Sequence, residues 1–416
     1  MAIPSIALIP SGYKADKVYS VLPTNGDGDL TFNRNDTGTR VNKSGLIEQV
    51  STDVPRLDYS DGVCPSLLLE PTSLNLTTYS QDFSQSAWQK ASSVVTGGIL
   101  SPDGATNGYK LVINNGVDAS GSGAGLKRNF SLSANTPYTY SIFVKKAELH
   151  NVAVVITGGG VNQANYSFDL INGVMIREVV DGFFTNTSYS IKDYGSDWWR
   201  VSVSFTVTSA VSANFYVWNF KNNDYTDDIG DGVNGVYVFG AQLEQKSILT
   251  SYIPTTTQTQ SRSPDSALKT GLSSYTSLTA GVLYGEFAAL SNEDTTYRVF
   301  SLSDGTGSDV GRVFIGFTDT NQIYAYLGAT SLGFFTPTDA TTFHKVAVKY
   351  ENNNSKLFVN GVQIGTTNTT ATVPSVLSRL GLDGGNQGAR FNGKLKDIRV
   401  YNTVLTDAEL ATLTTI

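Results

Sequence analysis

The sequence predicts an all-β protein: two antiparallel β-sandwiches of the jelly-roll kind in tandem, preceded by an extended N-terminal segment and closed by one short helix. Three observations predict it. Apolar residues alternate with polar ones at a period of two over many short stretches, as half-buried strands require. Turn residues, including 40 Gly among 416 residues, punctuate these stretches. Helical periodicity is confined to the last residues of the chain.

Residues 1–75 carry few strong apolar runs and many turn residues, as in Pro23-Thr-Asn-Gly-Asp-Gly-Asp29. No core of their own is expected for them. Residues 76–250 form the first strand-rich unit, with strands expected at Tyr138–Val144, Val152–Thr157, Phe215–Phe220 and Val236–Leu243. Within it Trp199-Arg-Val-Ser-Val-Ser-Phe-Thr-Val207 alternates without a break. Trp199, Val201, Val203, Phe205 and Val207 share one face, and Arg200, Ser202, Ser204 and Thr206 share the other. Residues 251–270 are polar, interrupted by Pro254 and Pro264, and predict a linker or extended strap. Residues 271–416 form the second unit, with strands at Leu283–Leu290, Arg298–Leu302, Arg312–Phe317, Phe343–Tyr350 and Ile398–Tyr401. β-Branched and aromatic residues fill these runs. Asn172-Gly173 and Asn360-Gly361 each lie between two runs, which predicts a type I′ hairpin turn at both. Thr406 and Glu409 have capping-box spacing, and Leu410 and Leu413 share a face, so a helix is expected over Thr406–Leu413.

Composition narrows the function. Lys and Arg number 29 against 36 Asp and Glu, a formal charge of −7. Sparse cations in an acidic chain argue against nucleic-acid binding, which needs clustered positive charge. No apolar run approaches the ~20 residues of a helical membrane span. The start of the chain lacks a basic region and is broken by Pro4 and Pro10, unlike a signal peptide. A single cysteine, Cys64, excludes an intrachain disulfide, and folding in a reducing cytosol is expected.

Few residues offer chemistry. The spacing G-x-G-x-x-G occurs at Gly230, Gly232 and Gly235, but a strand follows it, and phosphate binding needs a helix N-terminus. Glu286 has no acidic partner two residues along its strand, which argues against a paired-carboxylate glycosidase. His344 alternates in phase with Val346, Val348 and Tyr350 and is expected as a satisfied histidine at the core edge. His150 has no visible ligand partner. Cys64 is expected as a buried small residue. Clustered oxygen donors at Asp224, Asp227, Asp228 and Asp231, and again at Asp304 and Asp309, suggest calcium, the only cofactor the chain suggests, against solvated loops. Tyr216, Trp218 and Phe220 face away from Phe215 and Val217, and both faces cannot line one core. The outward set, with Tyr225, is expected to touch another subunit or domain, or a glycan.

Several segments resemble a group of structural proteins of tailed bacteriophages. They are Ser11-Gly-Tyr-Lys-Ala-Asp-Lys-Val-Tyr19, Phe32-Asn-Arg-Asn-Asp-Thr-Gly-Thr-Arg40, Val54-Pro-Arg-Leu-Asp-Tyr59, Leu67-Leu-Leu-Glu-Pro71, Trp198-Trp-Arg-Val-Ser-Val203, Gly240-Ala-Gln-Leu-Glu244 and Thr250-Ser-Tyr-Ile-Pro-Thr255. In that group the middle unit is similar to a carbohydrate-binding jelly roll of a head spike or fibre. Phe343-His-Lys-Val-Ala-Val348, Lys356-Leu-Phe-Val-Asn-Gly361 and Phe391-Asn-Gly-Lys-Leu-Lys-Asp-Ile-Arg-Val-Tyr-Asn402 resemble a laminin-G-like, concanavalin-type jelly roll. The resemblance implies a virion component made in the host cytoplasm and released by lysis. It implies other virion proteins as partners, and a homotrimer, the common state of such fibres. No catalytic residue follows from it. The expected function is a non-enzymatic head or tail fibre or spike subunit that adheres to host surface polysaccharide. Residues 1–75 are then expected to anchor the protein to the particle or wrap a neighbouring subunit. The alternatives are a decoration protein without a ligand and a secreted bacterial carbohydrate-active protein.

Overall fold

The structure, a computed structural model, describes residues 2–118, 123–159, 162–221 and 228–416. Its regular structure is nearly all antiparallel strand, and its chain divides into two compact units. One comprises residues 73–261 with the short stretch 44–48; the other comprises 1–43, 49–72 and 262–416.

The 73–261 unit is a sandwich of two six-stranded sheets. One runs in the order Gln89–Ala91, Gly125–Leu132, Val211–Phe220, Asn151–Gly159, Asn162–Asp169, Val174–Asp181. The other runs Ser93–Ile99, Gly108–Ile113, Gly235–Glu244, Thr136–Lys146, Trp198–Val207, Phe184–Asp193. The period-two prediction for the 198–207 strand holds. Val201, Val203, Phe205 and Val207 are buried between the sheets, and Trp199 packs against the same core at its edge. The opposite face is also covered. Arg200 is buried there, donating to the Thr250 carbonyl (2.8 Å) and to Ser141 Oγ (3.0 Å) with its guanidinium over the Phe143 ring.

The cover comes from residues 250–255, where the stretch expected as a linker or strap begins, whereas Ser266–Thr270 in the same stretch is a strand of the other unit's sheet. Tyr252 is buried against Phe143, Trp198 and Phe239, and Ile253 next to it is also buried. Asn75 Nδ2 donates to the Ile253 carbonyl (2.8 Å), the Ile253 N–H donates to Gln242 Oε1 (2.7 Å), and the Thr255 N–H donates to Ser80 Oγ (2.8 Å). Gly240 lies beneath it at φ +59°, where a Cβ would stand 3.0 Å from the Phe143 ring. The polar sequence of the strap thus supplies bonds to a sheet face rather than freedom to a linker.

The second unit is where sequence and structure part. Residues 1–75, expected as a separate anchoring segment, supply strands to the C-terminal sandwich. Ile6–Leu8 pairs with Gly393–Tyr401 (Ile6 opposite Val400, Leu8 opposite Ile398), and Ser66–Leu69 pairs with the same strand farther along (Leu67 opposite Leu395). That sheet continues through Ala280–Ala288, His344–Glu351, Ser355–Val359 and Val362–Asn368 on one side and Arg56–Asp58 on the other. The facing nine-stranded sheet runs Tyr13–Lys14, Lys17–Val18, Leu30–Asn33, Ser266–Thr270, Arg379–Gly381, Arg298–Ser303, Arg312–Phe317, Ile323–Leu327, Thr330–Phe335. Ile6, Leu8, Leu30, Phe32, Leu57, Leu67 and Leu69 are buried in the core between them. These N-terminal strands are two to four residues long, too short for alternation to show.

A buried charge network ties the early and late segments together. Arg56 pairs with both Glu70 and Asp265, Arg262 with Glu70 (3.0 Å), and Arg34 with Asp265 (3.2 Å), all side chains at most 2% exposed. The Arg34 guanidinium also donates to the carbonyls of Asp36, Ser51 and Val54.

Asn360 and Gly361 both have positive φ (50° and 87°) in a two-residue loop between Val359 and Val362, as a type I′ turn requires. Asn172-Gly173 does not form that turn. Asp169 lies opposite Val174, so the loop has four residues, and Gly173 alone is left-handed. The Asp169 carboxylate explains the difference, since it accepts from the Ile171 N–H (2.8 Å) and Asn172 Nδ2 (2.5 Å). The helix is Asp407–Thr414, with Thr406 and Glu409 forming the reciprocal capping box. Leu410 and Leu413 cover Val282, Tyr284, Ala347, Phe358 and Tyr401 on the outer side of its sheet.

Candidate functional site

The outward aromatic set on Val211–Phe220 is placed inside its own unit. Trp218 and Phe220 are 5% and 2% exposed, packed with Ile113, Ala124, Ala153 and Val155, and half-buried Tyr216 joins them. This face was expected to meet another subunit, a domain or a glycan; instead the chain's own loop residues, Val117 and Ala124 among them, cover it. Tyr225, Asp224 and Asp227 lie outside the described residues.

The other acidic residues satisfy their own loops. Asp231 accepts from the N–H groups of Val233 (3.0 Å) and Asn234 (2.8 Å), which hold its carboxyl below the usual range. Asp228 Oδ1 accepts from the Lys221 N–H (2.7 Å). Asp304 takes the N–H and hydroxyl of Thr306 (both 2.8 Å), and Asp309 pairs with Arg312. Among the described residues no three His, Cys, Asp or Glu side chains converge as a metal site.

His344 is buried, with Nε2 3.0 Å from the Asp339 carbonyl and Nδ1 3.0 Å from Asn360 Nδ2, as a structural histidine should be. Cys64, expected to be buried, is exposed in the loop between Arg56–Asp58 and Ser66–Leu69. Glu286, without a partner along its own strand, has one across it: Asp397 stands directly opposite. Burial pushes the Asp397 carboxyl up, while Arg399 clamps it through Nε (2.9 Å) and Nη2 (2.6 Å). A cross-strand pair is invisible to a search at i+2.

The exposed aromatic surface lies elsewhere, on the outer face of the nine-stranded sheet. In Arg312–Phe317, Val313, Ile315 and Phe317 enter the core and Phe314 faces out. In Ile323–Leu327, Ile323, Ala325 and Leu327 enter the core and Tyr324 and Tyr326 face out. Phe334 lies opposite Tyr324 on the next strand. The rings form two parallel stacks: Phe314 with Tyr326 (centroids 5.3 Å apart, 8° between planes) and Tyr324 with Phe334 (6.1 Å, 11°). Tyr297 meets Tyr324 edge-on at 5.9 Å. Tyr297 and Phe334 are 51% and 47% exposed, whereas Phe314 and Tyr324 are 6% exposed and form the floor.

Polar groups rim this platform. The Arg312 guanidinium lies 5.0 Å over the Phe314 ring and donates to the Gly384 carbonyl and to Asp309. Beside the neighbouring Arg298–Ser303 strand, Ser301 Oγ and the Val299 N–H fix the Asp383–Arg390 loop through the carbonyls of Asp383 (2.8 Å) and Ala389 (3.1 Å). The negative charge of Asp319 raises the Tyr297 hydroxyl, and burial raises that of Tyr324, so both stay protonated donors at neutral pH. The alternation Ile323-Tyr-Ala-Tyr-Leu327 is the signal by which the sequence could have shown this face.

A family model described as the concanavalin A-like lectin/glucanases superfamily matches residues 287–411, which contain the whole platform. No curated protein matches the chain. Among solved structures, the CBM40 module of the Ruminococcus gnavus IT-sialidase bound to α2,3-sialyllactose is similar at 20% identity over 33% of this chain and 84% of that one, TM-score 0.28. Domain 4 of a GH43 extracellular arabinanase from Geobacillus stearothermophilus, in complex with arabinotriose, is similar at 16% identity over 36% and 73%, TM-score 0.28. A Trypanosoma rangeli sialidase with 2,3-difluorosialic acid is similar at 10% identity over 70% and 53%, TM-score 0.29. At these identities and scores none of the three bears on function.

Proposed function

We propose that the chain is a non-enzymatic glycan-binding subunit of a bacteriophage appendage, a head or tail fibre or spike, whose C-terminal sandwich meets host surface polysaccharide at the aromatic platform. The platform carries this reading. The C–H faces of a sugar ring stack on exposed aromatic faces, and its hydroxyls need donors and acceptors at the margin. Phe334 and Tyr297 supply the faces; Arg312 and the tyrosine hydroxyls supply the margin. Because Phe334 is 47% exposed, truncating it removes binding surface and leaves the core intact.

The virion assignment rests on the resemblance of the N-terminal and middle segments to phage structural proteins, and the trimer on the habit of such fibres. A glycan array of host polysaccharides, read with the purified protein and with the Phe334→Ala, Tyr297→Ala double variant, tests the binding. Retention on one polysaccharide class, lost in the variant with its melting temperature unchanged, is the expected result. Retention by neither protein favours a decoration protein. Shortened polysaccharide chains would replace the binding role with an enzymatic one. Labelling of the protein on imaged particles decides the virion role.

A further inference from the structure

The 73–261 unit holds a cleft at one end of its sandwich, about 400 Å³ in volume, that the platform does not use. Lys145 and Lys146 line it from the end of Thr136–Lys146. Asp193, Ser196 and Asp197 line it from the hairpin joining Phe184–Asp193 to Trp198–Val207, and Trp199 forms a wall. We infer that this cleft is a second sugar site, one that takes an uncharged pyranose residue.

The wall is built to hold still. Trp199 Nε1 donates to the Leu170 carbonyl at 3.0 Å, which fixes the plane of the indole. Gly173, at φ +64°, lies against the ring so closely that a Cβ there would stand 2.2 Å from it. The ring is half-buried and its free surface borders the cleft. A fixed, half-exposed indole face is what the C–H face of a pyranose stacks upon.

Charge selects the class. Two ammonium groups and two carboxylates line one small cleft, and among the described residues no ion pair joins the lysines to the aspartates. Lys145 Nζ instead donates to the Ser196 carbonyl (2.7 Å), and Asp193 Oδ1 accepts from the Gly195 N–H (2.7 Å). The summed charge of the lining is zero, so neither a cationic nor an anionic ligand gains from it. A polyol gains from both signs, since each hydroxyl donates to a carboxylate and accepts from an ammonium. The hairpin is held in an uncommon form for this. Gly195, Ser196 and Asp197 are all left-handed (φ 78°, 52° and 65°), a strain that persists where surrounding bonds over-determine it, as at binding sites.

The wall also provides the readout. Trp88, Trp198 and Trp218 are 1%, 2% and 5% exposed, so the solvent-sensitive part of the indole emission comes from Trp199. The full chain is titrated with the methyl glycosides of glucose, galactose and mannose and, separately, with glucuronate and N-acetylneuraminate, following emission and saturation-transfer NMR. A saturable change with at least one neutral glycoside is expected at about millimolar affinity. Lys146→Ala and Asp197→Asn, the latter keeping a residue that tolerates the left-handed φ of 65°, should each weaken it about tenfold with the fold intact. Phe334→Ala should leave it unchanged, so failure here and failure of the platform are told apart. No saturable response to any neutral glycoside, a response to the anionic sugars alone, or full response in both cleft variants would overturn the inference.

Discussion

At the scale of single residues, burial decides which side chains are structural. Val203 is 0% exposed between the two sheets of the 73–261 unit. Val203→Asp puts an unpaired carboxylate where no donor reaches, so the expected outcome is loss of soluble folded protein, seen as aggregation or lost near-ultraviolet dichroism. His344 gives a graded version of the same physics. Burial lowers its pKa, only partly opposed by the Asp339 carbonyl. The folded value therefore lies below the unfolded one of about 6.5. Between the two, the unfolded chain binds the extra proton, so this contribution is full above that range and is lost as pH falls through it. Thermal denaturation should show stability falling on acidification from about pH 7.5 to 5, with a flatter profile in His344→Gln. Asp82 titrates lower still. Burial would raise it, but the donors Ser84, Gln85 and Tyr109 outweigh that and hold it at about 2.

At the scale of elements, legibility followed the length of the alternating run. The ten-residue strand Trp198–Val207 shows its inward face directly, and the Asn360-Gly361 turn and the Thr406 capping box each rest on two or three local residues. Ile6–Leu8 and Arg56–Asp58 are three residues long and buried throughout, so no period could mark them. Ile6–Leu8 pairs with residues some 390 away, as in Ile6–Val400, and Arg56–Asp58 pairs with Ser66–Leu69, which is itself held by residues some 330 away, as in Leu68–Lys394. The site divided in the same way. That both faces of Val211–Phe220 are apolar was legible, but what covers the outer one was not, because the cover comes from another loop. The charge network is the sharpest test of how these short elements are held. Glu70→Ala leaves Arg56 and Arg262 buried with a carboxylate missing, which should cost about 3–5 kcal/mol in denaturant unfolding. Glu70→Gln keeps the shape and should cost less.

At the scale of the whole molecule, the two units differ in how they are threaded, and this predicts how the chain can be cut. The 73–261 unit is nearly continuous in sequence and contains every strand of both its sheets. Its strap, Thr250 to Thr256, is bonded to residues of the same stretch, among them Asn75, Ser80 and Glu244. The other unit is discontinuous. Residues 262–416 alone would lack Ile6–Leu8 and Ser66–Leu69, the two strands that pair with Gly393–Tyr401 on the side away from Ala280–Ala288, and Leu30–Asn33 beside Ser266–Thr270. They would also lack Arg34, Arg56 and Glu70, so Arg262 and Asp265 would lose the charges that neutralise them. Residues 73–261 expressed alone should therefore fold, giving a cooperative thermal transition and dispersed amide resonances. Residues 262–416 should not, unless residues 1–72 are supplied on the same chain or added as a separate fragment. Cooperative folding of 262–416 by itself would mean that the long strands suffice and that the N-terminal residues are an accessory to that core.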